Sequence, residues 1–158
     1  MQSRIKPTNK QNFFQKLLIL FFFGFLSIDC VGANPITLEG VASAIDGDTI
    51  IINSYKIRLS GVSAPELSEK GGNEAKQAMQ KILENQKIKC SLSGKKSYQR
   101  YIGVCWIGAV DVGALLILRG FARDCVRYSS GRYRALEPKP ARYLPLPQYC
   151  LARTQKIN

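Results

Sequence analysis

The sequence predicts a small α+β domain in which a β-sheet is rolled into a barrel. Its 158 residues are enough for one hydrophobic core. Hydrophobic residues make up 46% of the chain and charged residues 22%, a balance typical of a folded globular protein. Runs of β-branched residues precede and follow one strongly amphipathic segment. This order of strands, helix, strands and helix predicts the α+β class.

The excess of positive charge and the lack of histidine narrow the possible functions. Lys and Arg total 23 against 11 Asp and Glu, so the formal net charge is +12. A balance this basic favours polyanionic partners, with nucleic acid or an anionic membrane surface the leading candidates. Because the chain contains no histidine, histidine-based catalytic triads and zinc sites are excluded. Acid–base chemistry would have to use carboxylates, Lys, Tyr, Cys or a hard metal ion.

Residues 1–33 are typical of an export signal. Basic residues precede a twelve-residue apolar run at 17–28, which is too short to span a bilayer comfortably. Val31-Gly32-Ala33 supplies the small residues of a cleavage site, so we expect cleavage after Ala33. A retained anchor and lipid attachment at Cys30 are the alternatives.

Cleavage there predicts a periplasmic or extracellular protein with no stable membrane insertion. The signal carries four basic residues and one acid, so its removal lowers the net charge only from +12 to +9. The positive charge therefore belongs to the folded part of the chain. We expect this part to be a monomer.

Four cysteines remain after the signal, and they are expected to form two disulfides. An even number of cysteines in an exported protein, with no C-x-x-C motif and no histidine, favours disulfides over zinc. Three pairings are possible. Cys90 and Cys105 flank a predicted hairpin, so Cys90–Cys105 with Cys125–Cys150 is favoured. The second bridge would attach the C-terminal tail to the domain.

The first half of the domain is predicted to consist of strands. β-Branched residues and period-two alternation indicate strands at residues 36–45, 49–53 and 56–59. Asn53-Ser54 is the predicted hairpin turn between the last two strands. In the strand at 56–59, Ile57 and Leu59 face one side and Arg58 the other. A loop rich in Gly, Ser and Glu follows at residues 61–72.

The second half contains two predicted helices and two predicted strands. Apolar residues from Ala75 to Leu83 recur at helical spacing, which predicts an amphipathic helix. Strands are expected at 87–92 and 101–107, with a basic turn at 93–97 between them. Asp111 is the predicted N-cap of a short helix that ends at Arg119, with Gly120 as its stop signal.

Proline marks the end of the predicted domain. Pro138, Pro140, Pro145 and Pro147 fall within ten residues, which disfavours a long helix and indicates an extended tail over the domain. The predicted organisation is a signal peptide at 1–33, a folded domain at 34–135 and a proline-rich C-terminal extension at 136–158.

Three sequence blocks in the domain resemble the staphylococcal nuclease (thermonuclease) family. The blocks are Ala44-Ile45-Asp46-Gly47-Asp48-Thr49-Ile50, Ile57-Arg58-Leu59-Ser60-Gly61-Val62-Ser63-Ala64-Pro65-Glu66 and Tyr98-Gln99-Arg100. The spacing between them also matches, and the resemblance covers roughly residues 36–128. It implies an OB-fold, a five-stranded barrel with two to three packed helices. It also implies a calcium-dependent endonuclease acting on DNA and RNA.

The resemblance assigns a catalytic role to three residues. It implies that Arg58 and Arg100 hold the phosphate and stabilise the charge that develops on it. This suits arginine, whose planar fork binds two phosphate oxygens and stays protonated. Glu66 matches the carboxylate that orients or deprotonates the attacking water.

The same comparison implies a calcium site with one departure. Asp48 matches a metal ligand, and Ala64 stands where the family offers a backbone carbonyl. Ser63 occupies the place of a second metal-binding Asp, which removes one negative charge from the site. We therefore expect weak calcium affinity, a shifted metal preference or loss of activity.

Two basic and aromatic clusters are predicted to bind single-stranded DNA or RNA, because cations follow phosphates and rings stack on bases. The first cluster is Lys95, Lys96, Tyr98, Arg100 and Tyr101. The second is Arg127, Tyr128, Arg132, Tyr133 and Arg134. Within them, Lys96, Tyr98 and Tyr128 are the candidate substrate-binding residues, and the resemblance implies that both tyrosines stand near the scissile nucleotide.

Two alternatives to a nuclease remain open. The change at Ser63 is also compatible with a catalytically silent OB-fold module that binds nucleic acid. A retained apolar amino terminus would instead indicate a structural envelope protein.

Overall fold

A computed structural model of the chain describes residues 36–151. The predicted signal peptide at 1–33 lies outside the described residues. Within residues 36–151 there are eight strands and three helices: β1 (Ile36–Ala44), β2 (Thr49–Ile52), β3 (Tyr55–Leu59), β4 (Val62–Ser63), α1 (Gly72–Leu83), β5 (Lys87–Ser97), β6 (Arg100–Ile107), β7 (Val110–Asp111), α2 (Val112–Leu118), β8 (Arg123–Asp124) and α3 (Val126–Ser129).

Five of these strands close into a barrel. β1, β2 and β3 form an antiparallel meander, and β1 also pairs with β5, which pairs with β6. A parallel pairing between β3 and β6 closes the circle. The predicted fold class, a mostly-β OB-fold barrel with packed helices, is confirmed. Closure matters for function because it brings the start of β6 beside β3.

The tight turn between β2 and β3 lies where the sequence predicts it. Asn53 and Ser54 have positive φ angles of 46° and 70°. A two-residue hairpin loop with φ above zero at both positions matches the right-handed twist of the strands it joins. The turn fixes the register of the hairpin, in which Thr49 lies opposite Arg58.

The core lies inside the barrel and under α1. Along β2 and β3 the side chains of Ile50, Ile52, Ile57 and Leu59 are buried. The apolar stripe of α1 covers the barrel, as the helical spacing predicts. Its buried members are Ala75, Ala78, Met79, Ile82 and Leu83.

The predicted basic turn at 93–97 is wrong, because β5 continues through Ser97. The pairing of β5 with β6 shifts register between Leu92 and Lys96, and Gly94 has a φ angle of +74° there. A glycine at a bulge absorbs an extra residue without ending the strand. The connection to β6 is instead at Tyr98 and Gln99, and Tyr98 has a φ of +54°.

Both predicted disulfides are present. Cys90 on β5 and Cys105 on β6 face each other in the strand register and are bonded. Cys125 is bonded to Cys150, with their Cα atoms 4.4 Å apart. The second bridge attaches the C-terminal extension to the residue that precedes α3.

The C-terminal extension contains short 3-10 turns and no long helix. The proline content predicted the lack of a long helix, whereas the predicted extended conformation is interrupted by these turns. Three 3-10 segments cover Arg134–Leu136, Lys139–Tyr143 and Gln148–Cys150. Ala141 and Cys150 are fully buried, so the extension packs onto the domain. Among the helices of residues 36–151, none has the length and apolar character needed to cross a membrane.

Asp111 connects the start of α2 to the segment after α3. Its Oδ1 accepts the Ala114 N–H at 3.1 Å, which makes it the predicted N-cap of α2. Its Oδ2 accepts the hydroxyl of the buried Tyr133 at 2.8 Å, and Arg132 donates to that hydroxyl at 2.7 Å. Burial and the Asp111 carboxylate raise the pKa of Tyr133 well above its usual value.

Replacing Tyr133 with phenylalanine is expected to lower the free energy of unfolding by about 1–3 kcal/mol, because Oδ2 of Asp111 loses its donor. Urea unfolding measures the change. Tyr143→Phe is the matched control, since the Tyr143 ring is 89% exposed and should tolerate the loss of its hydroxyl. Equal effects in the two variants would contradict the role of the Tyr133–Asp111 bond.

Candidate active site

A cleft of about 660 Å³ opens beside β3, next to the turn that joins β5 and β6. The three predicted catalytic residues, Arg58, Glu66 and Arg100, all line it. The predicted substrate-binding residues also line it. These are Lys96, Tyr98 and Tyr128. One cleft therefore holds the two guanidinium groups and the carboxylate together with lysines and tyrosine rings.

The turn from Asp46 to Asp48 is fixed by close packing at Gly47. A Cβ atom on Gly47 would lie 2.4 Å from Cβ of Ala64 and 2.8 Å from Cβ of Ala75. Only glycine allows this approach. Oδ1 of Asp46 accepts the N–H of Asp48 at 3.0 Å, which closes the turn and directs the chain into β2.

Asp48 is a buried carboxylate whose two oxygens both accept protein donors. Its exposed fraction is 3%. Oδ1 pairs with Nη1 of Arg58, and Oδ2 accepts the N–H of Ala64 at 3.1 Å. No other protein acceptor within residues 36–151 binds the Arg58 guanidinium. Its remaining donors are therefore free to bind an anion in the cleft.

Thr49 extends this network to the second arginine. Its hydroxyl donates to Oδ1 of Asp48 at 3.3 Å and accepts from Nη1 of Arg100 at 3.1 Å. Thr49 is 1% exposed, so its side chain has little freedom to rearrange. The result is a continuous chain of contacts, Arg58–Asp48–Thr49–Arg100, that holds both guanidinium groups at one cleft.

Burial controls the ionisation of Asp48. Loss of solvation raises the pKa of its carboxyl from 3.8 to about 6. The Arg58 guanidinium acts in the opposite direction, and the negative charge of Asp46 adds to the rise.

Glu66 enters the cleft from the loop before α1. Its side chain is exposed, and its backbone N–H donates to Oε2 of Glu69 at 2.8 Å. Its carbonyl accepts the N–H of Glu69 at 2.8 Å, so the loop makes a compact turn. Gly72 allows the first turn of α1 to pack on this loop, because a Cβ there would lie 2.0 Å from the carbonyl oxygen of Glu66.

The predicted metal ligands lie close together but form a poor calcium site. Asp48, Ser63 and Ala64 are all buried. Within residues 36–151, no three or more Cys, Asp or Glu side chains form a group that could hold a metal ion. Calcium takes about six to eight oxygens, whereas this set offers one carboxylate with both oxygens already engaged. These residues do not fit a tightly bound calcium ion.

The structure separates the second predicted basic and aromatic cluster. Tyr128 lies in the cleft and is 54% exposed. Tyr133 is buried against Asp111, so it cannot stack on a base, and that part of the prediction is wrong. The Arg132 guanidinium covers the Tyr133 ring at 4.5 Å and donates to the carbonyl of Ser60.

Comparison with known proteins assigns the family. A family model described as staphylococcal nuclease homologue matches residues 56–139, more than half of the chain. The chain belongs to this family. The matched region contains Arg58, Glu66 and Arg100, whereas Asp48 lies before it and Cys150 after it.

Three curated relatives show how far the similarity extends. The chain is 31% identical over 148 residues to the succinoglycan biosynthesis protein ExoI of Rhizobium meliloti (strain 1021), covering 82% of this chain and 76% of the relative. A probable staphylococcal-like nuclease, CAN1, of Oryza sativa subsp. japonica is 29% identical, and the match covers 52% of this chain and 25% of that relative. An uncharacterized endonuclease of Haemophilus influenzae (strain ATCC 51907 / DSM 11121 / KW20 / Rd) is 27% identical, and the match covers 56% of this chain and 53% of that relative. The chain thus spans about half of the Haemophilus relative and a quarter of the rice relative.

Two residues that contribute to this family member's site were not singled out from the sequence. Thr49 links Asp48 to Arg100, and its place beside the Asp46-Gly47-Asp48 turn was the available signal. Tyr149 lines the cleft from the C-terminal extension. The sequence signal for Tyr149 was its position next to Cys150. That position indicates a place in the cleft only when Cys150 is known to be bonded to Cys125.

The buried carboxyl predicts a pH dependence of stability. A folded pKa of about 6 means that the folded state keeps a proton which the unfolded state releases near pH 4. Asp48 therefore contributes stability below pH 4 that is lost as the pH rises through about 6. In metal-free buffer, the unfolding free energy of the wild type relative to Asp48→Asn should fall by about 2 kcal/mol between pH 4 and 7.

Urea unfolding at several pH values in the presence of a chelator measures this difference. Glu74→Gln is the control, because Glu74 is an exposed carboxylate on α1. Its variant should follow the wild type at every pH. A difference between wild type and Asp48→Asn that does not change with pH would contradict the raised pKa.

Proposed function

We propose that the chain is an exported nuclease that hydrolyses phosphodiester bonds of single-stranded DNA or RNA as an endonuclease. The observation that supports this most directly is the Arg58–Asp48–Thr49–Arg100 chain of contacts, which holds two guanidinium groups at one cleft with Glu66. This combination suits hydrolysis of a phosphodiester, because an anion is attacked and its transition state carries additional charge.

Each residue has a role that its position supports. Arg58 and Arg100 bind oxygens of the scissile phosphate and stabilise the charge on the pentacoordinate transition state. Glu66 accepts a proton from the water that attacks phosphorus. The new P–O bond forms as the bond to the leaving oxygen breaks, and that oxygen takes a proton from solvent.

We propose that calcium binds weakly at this position. Asp48 is the one charged ligand among the candidates, and Ser63 offers at most a neutral hydroxyl oxygen. No step above depends on an ion at this position. The low charge of the donor set supports a requirement for high calcium concentration or a different divalent cation.

We propose that the protein is exported, because its cysteines form disulfides. Two disulfides, Cys90–Cys105 and Cys125–Cys150, persist in oxidising compartments and are rare where thiols are kept reduced. The predicted signal at 1–33 agrees with this location, which would be periplasmic or extracellular.

A binding module without hydrolytic activity is the second candidate. It is favoured by the direct pairing of Arg58 with Asp48, since that pair competes with phosphate for the guanidinium. This module would bind nucleic acid with strong salt dependence and leave it intact at every metal concentration.

Replacing Glu66 with glutamine should lower kcat at least about 100-fold, because the amide cannot accept the proton from water. Cleavage of a fluorescent single-stranded oligonucleotide measures the rate. Glu74→Gln serves as the control outside the cleft and should retain the wild-type rate. An unchanged rate in Glu66→Gln would reject this mechanism.

Replacing Ser63 with aspartate should raise calcium affinity about ten-fold or more, because it adds a second carboxylate beside Asp48. Calcium titration calorimetry measures the affinity, and thermal unfolding confirms that the variant is folded. Ser63→Asn controls for size at this buried position. Equal affinity in the aspartate and asparagine variants would argue against a metal position here.

A further inference from the structure

We propose that Tyr149, in the C-terminal extension, is a base-stacking residue that adds a nucleotide-binding position to the cleft. This inference rests on the proposed function and names how the same site holds a single strand. Tyr149 lies ten residues beyond the family match, which ends at residue 139. The position is therefore contributed by a part of this chain that the family model does not describe.

Tyr149 lines the same cleft as Arg58, Arg100 and Glu66. Tyr149 as a residue is 48% exposed, close to the 54% of Tyr128 in the same cleft. A third tyrosine there, Tyr98, is 91% exposed. Half-exposed rings among cations match the way proteins bind single-stranded nucleic acid, in which cations follow the backbone and rings stack on bases.

The disulfide explains how the extension reaches this position. Cys150 is fully buried and bonded to Cys125, and Cys125 itself lines the cleft. Cys125 is the N-cap residue of α3, the helix that carries Tyr128. One covalent bond therefore holds Tyr149 and Tyr128 to the same short element.

Further contacts keep the extension in place. Pro147 precedes the last 3-10 turn, and the N–H of Cys150 bonds its carbonyl at 2.9 Å. Arg123 donates from Nη1 to the carbonyl of Leu144 at 3.2 Å. These bonds and the neighbouring disulfide order Tyr149 before a ligand binds, so it loses less conformational entropy on binding than a residue of a free tail would.

Tyr149 lacks the hydroxyl hydrogen bonds that hold Tyr133 in place. The Tyr133 hydroxyl has two hydrogen-bond partners and a buried ring, and its role is to pack the core. Within the described residues, the Tyr149 hydroxyl has no hydrogen-bond partner and its ring stacks on no other ring. A half-exposed tyrosine that makes neither of these contacts with the described residues is available for a base.

This position favours a single strand over a duplex. A base can stack on a side chain only when it has left its neighbours in the helix, and in a duplex that loss costs a few kcal/mol per step. Each stacking ring in the cleft therefore increases the preference for unpaired nucleotides.

The binding test uses the full mature protein carrying Glu66→Gln, so that substrate is not consumed. Fluorescence anisotropy with a labelled single-stranded DNA oligonucleotide gives the Kd. Tyr149→Ala should raise the Kd about 5- to 100-fold, and Tyr149→Phe should recover most of the affinity because it keeps the ring. Tyr143→Ala, which removes an 89% exposed tyrosine from the same extension, should bind like the parent.

A second measurement locates the base. In a series of oligonucleotides that each carry one abasic site, one position should weaken binding to the parent protein but cause no further loss in Tyr149→Ala. In the protein that retains Glu66, Tyr149→Ala should raise KM more than it lowers kcat. Thermal unfolding checks that the variants are folded.

The outcomes separate this inference from the proposed function. If the parent binds the oligonucleotide and Tyr149→Ala binds equally well, the inference is wrong while the nuclease proposal stands. If the parent binds and Tyr149→Ala is weaker, the inference is supported even where cleavage is absent. If no single-stranded DNA or RNA binds to the parent, both are wrong.

Discussion

The buried carboxylate of Asp48 is the constraint on which the rest of the site depends. A charge in the protein interior is costly unless it is paired and hydrogen-bonded, and here three donors surround it. They are the Arg58 guanidinium, the Thr49 hydroxyl and the Ala64 amide. Satisfying this one group fixes the arginine of β3, the loop after β4 and, through Thr49, the arginine that begins β6.

The barrel supplies the geometry for this network, and the C-terminal half completes the cleft around it. The parallel pairing of β3 with β6 brings Arg100 next to β2, although Thr49 and Arg100 are 51 residues apart in sequence. On the other side, β8 pairs with β4 and leads into α3. The Cys125–Cys150 bond then attaches the extension to the start of α3. A disulfide and strand pairing therefore both position the residues of this side of the cleft.

Local sequence signals predicted the elements well, because their causes are local. Asn53-Ser54 accepts positive φ angles, Asp111 caps its helix through the N–H three residues ahead, and the stripe from Ala75 to Leu83 follows helical spacing. Gly94 was misleading, since a glycine in a bulge and a glycine in a turn look alike in sequence. Strand β5 therefore extends further than its composition indicates.

Non-local packing accounts for what the sequence could not predict. The family resemblance predicted that Arg58, Glu66 and Arg100 share one site. The hydroxyl of Thr49 links Asp48 to Arg100, and this link forms only when the barrel closes. Because arginines flank Tyr133 in the sequence, it was expected to lie at the surface. The structure buries it, with its hydroxyl bonded to Asp111. Its burial depends on contacts that only the folded chain makes.

The proposed reaction requires Arg58 and Arg100 to act on one phosphate. A crystal structure of the Glu66→Gln protein with a short single-stranded oligonucleotide would test this requirement. We expect oxygens of a single phosphate to lie within hydrogen-bond distance of both guanidinium groups, while Asp48 remains paired with Arg58. A strand whose phosphates contact the two arginines separately, or that binds away from the cleft, would contradict it.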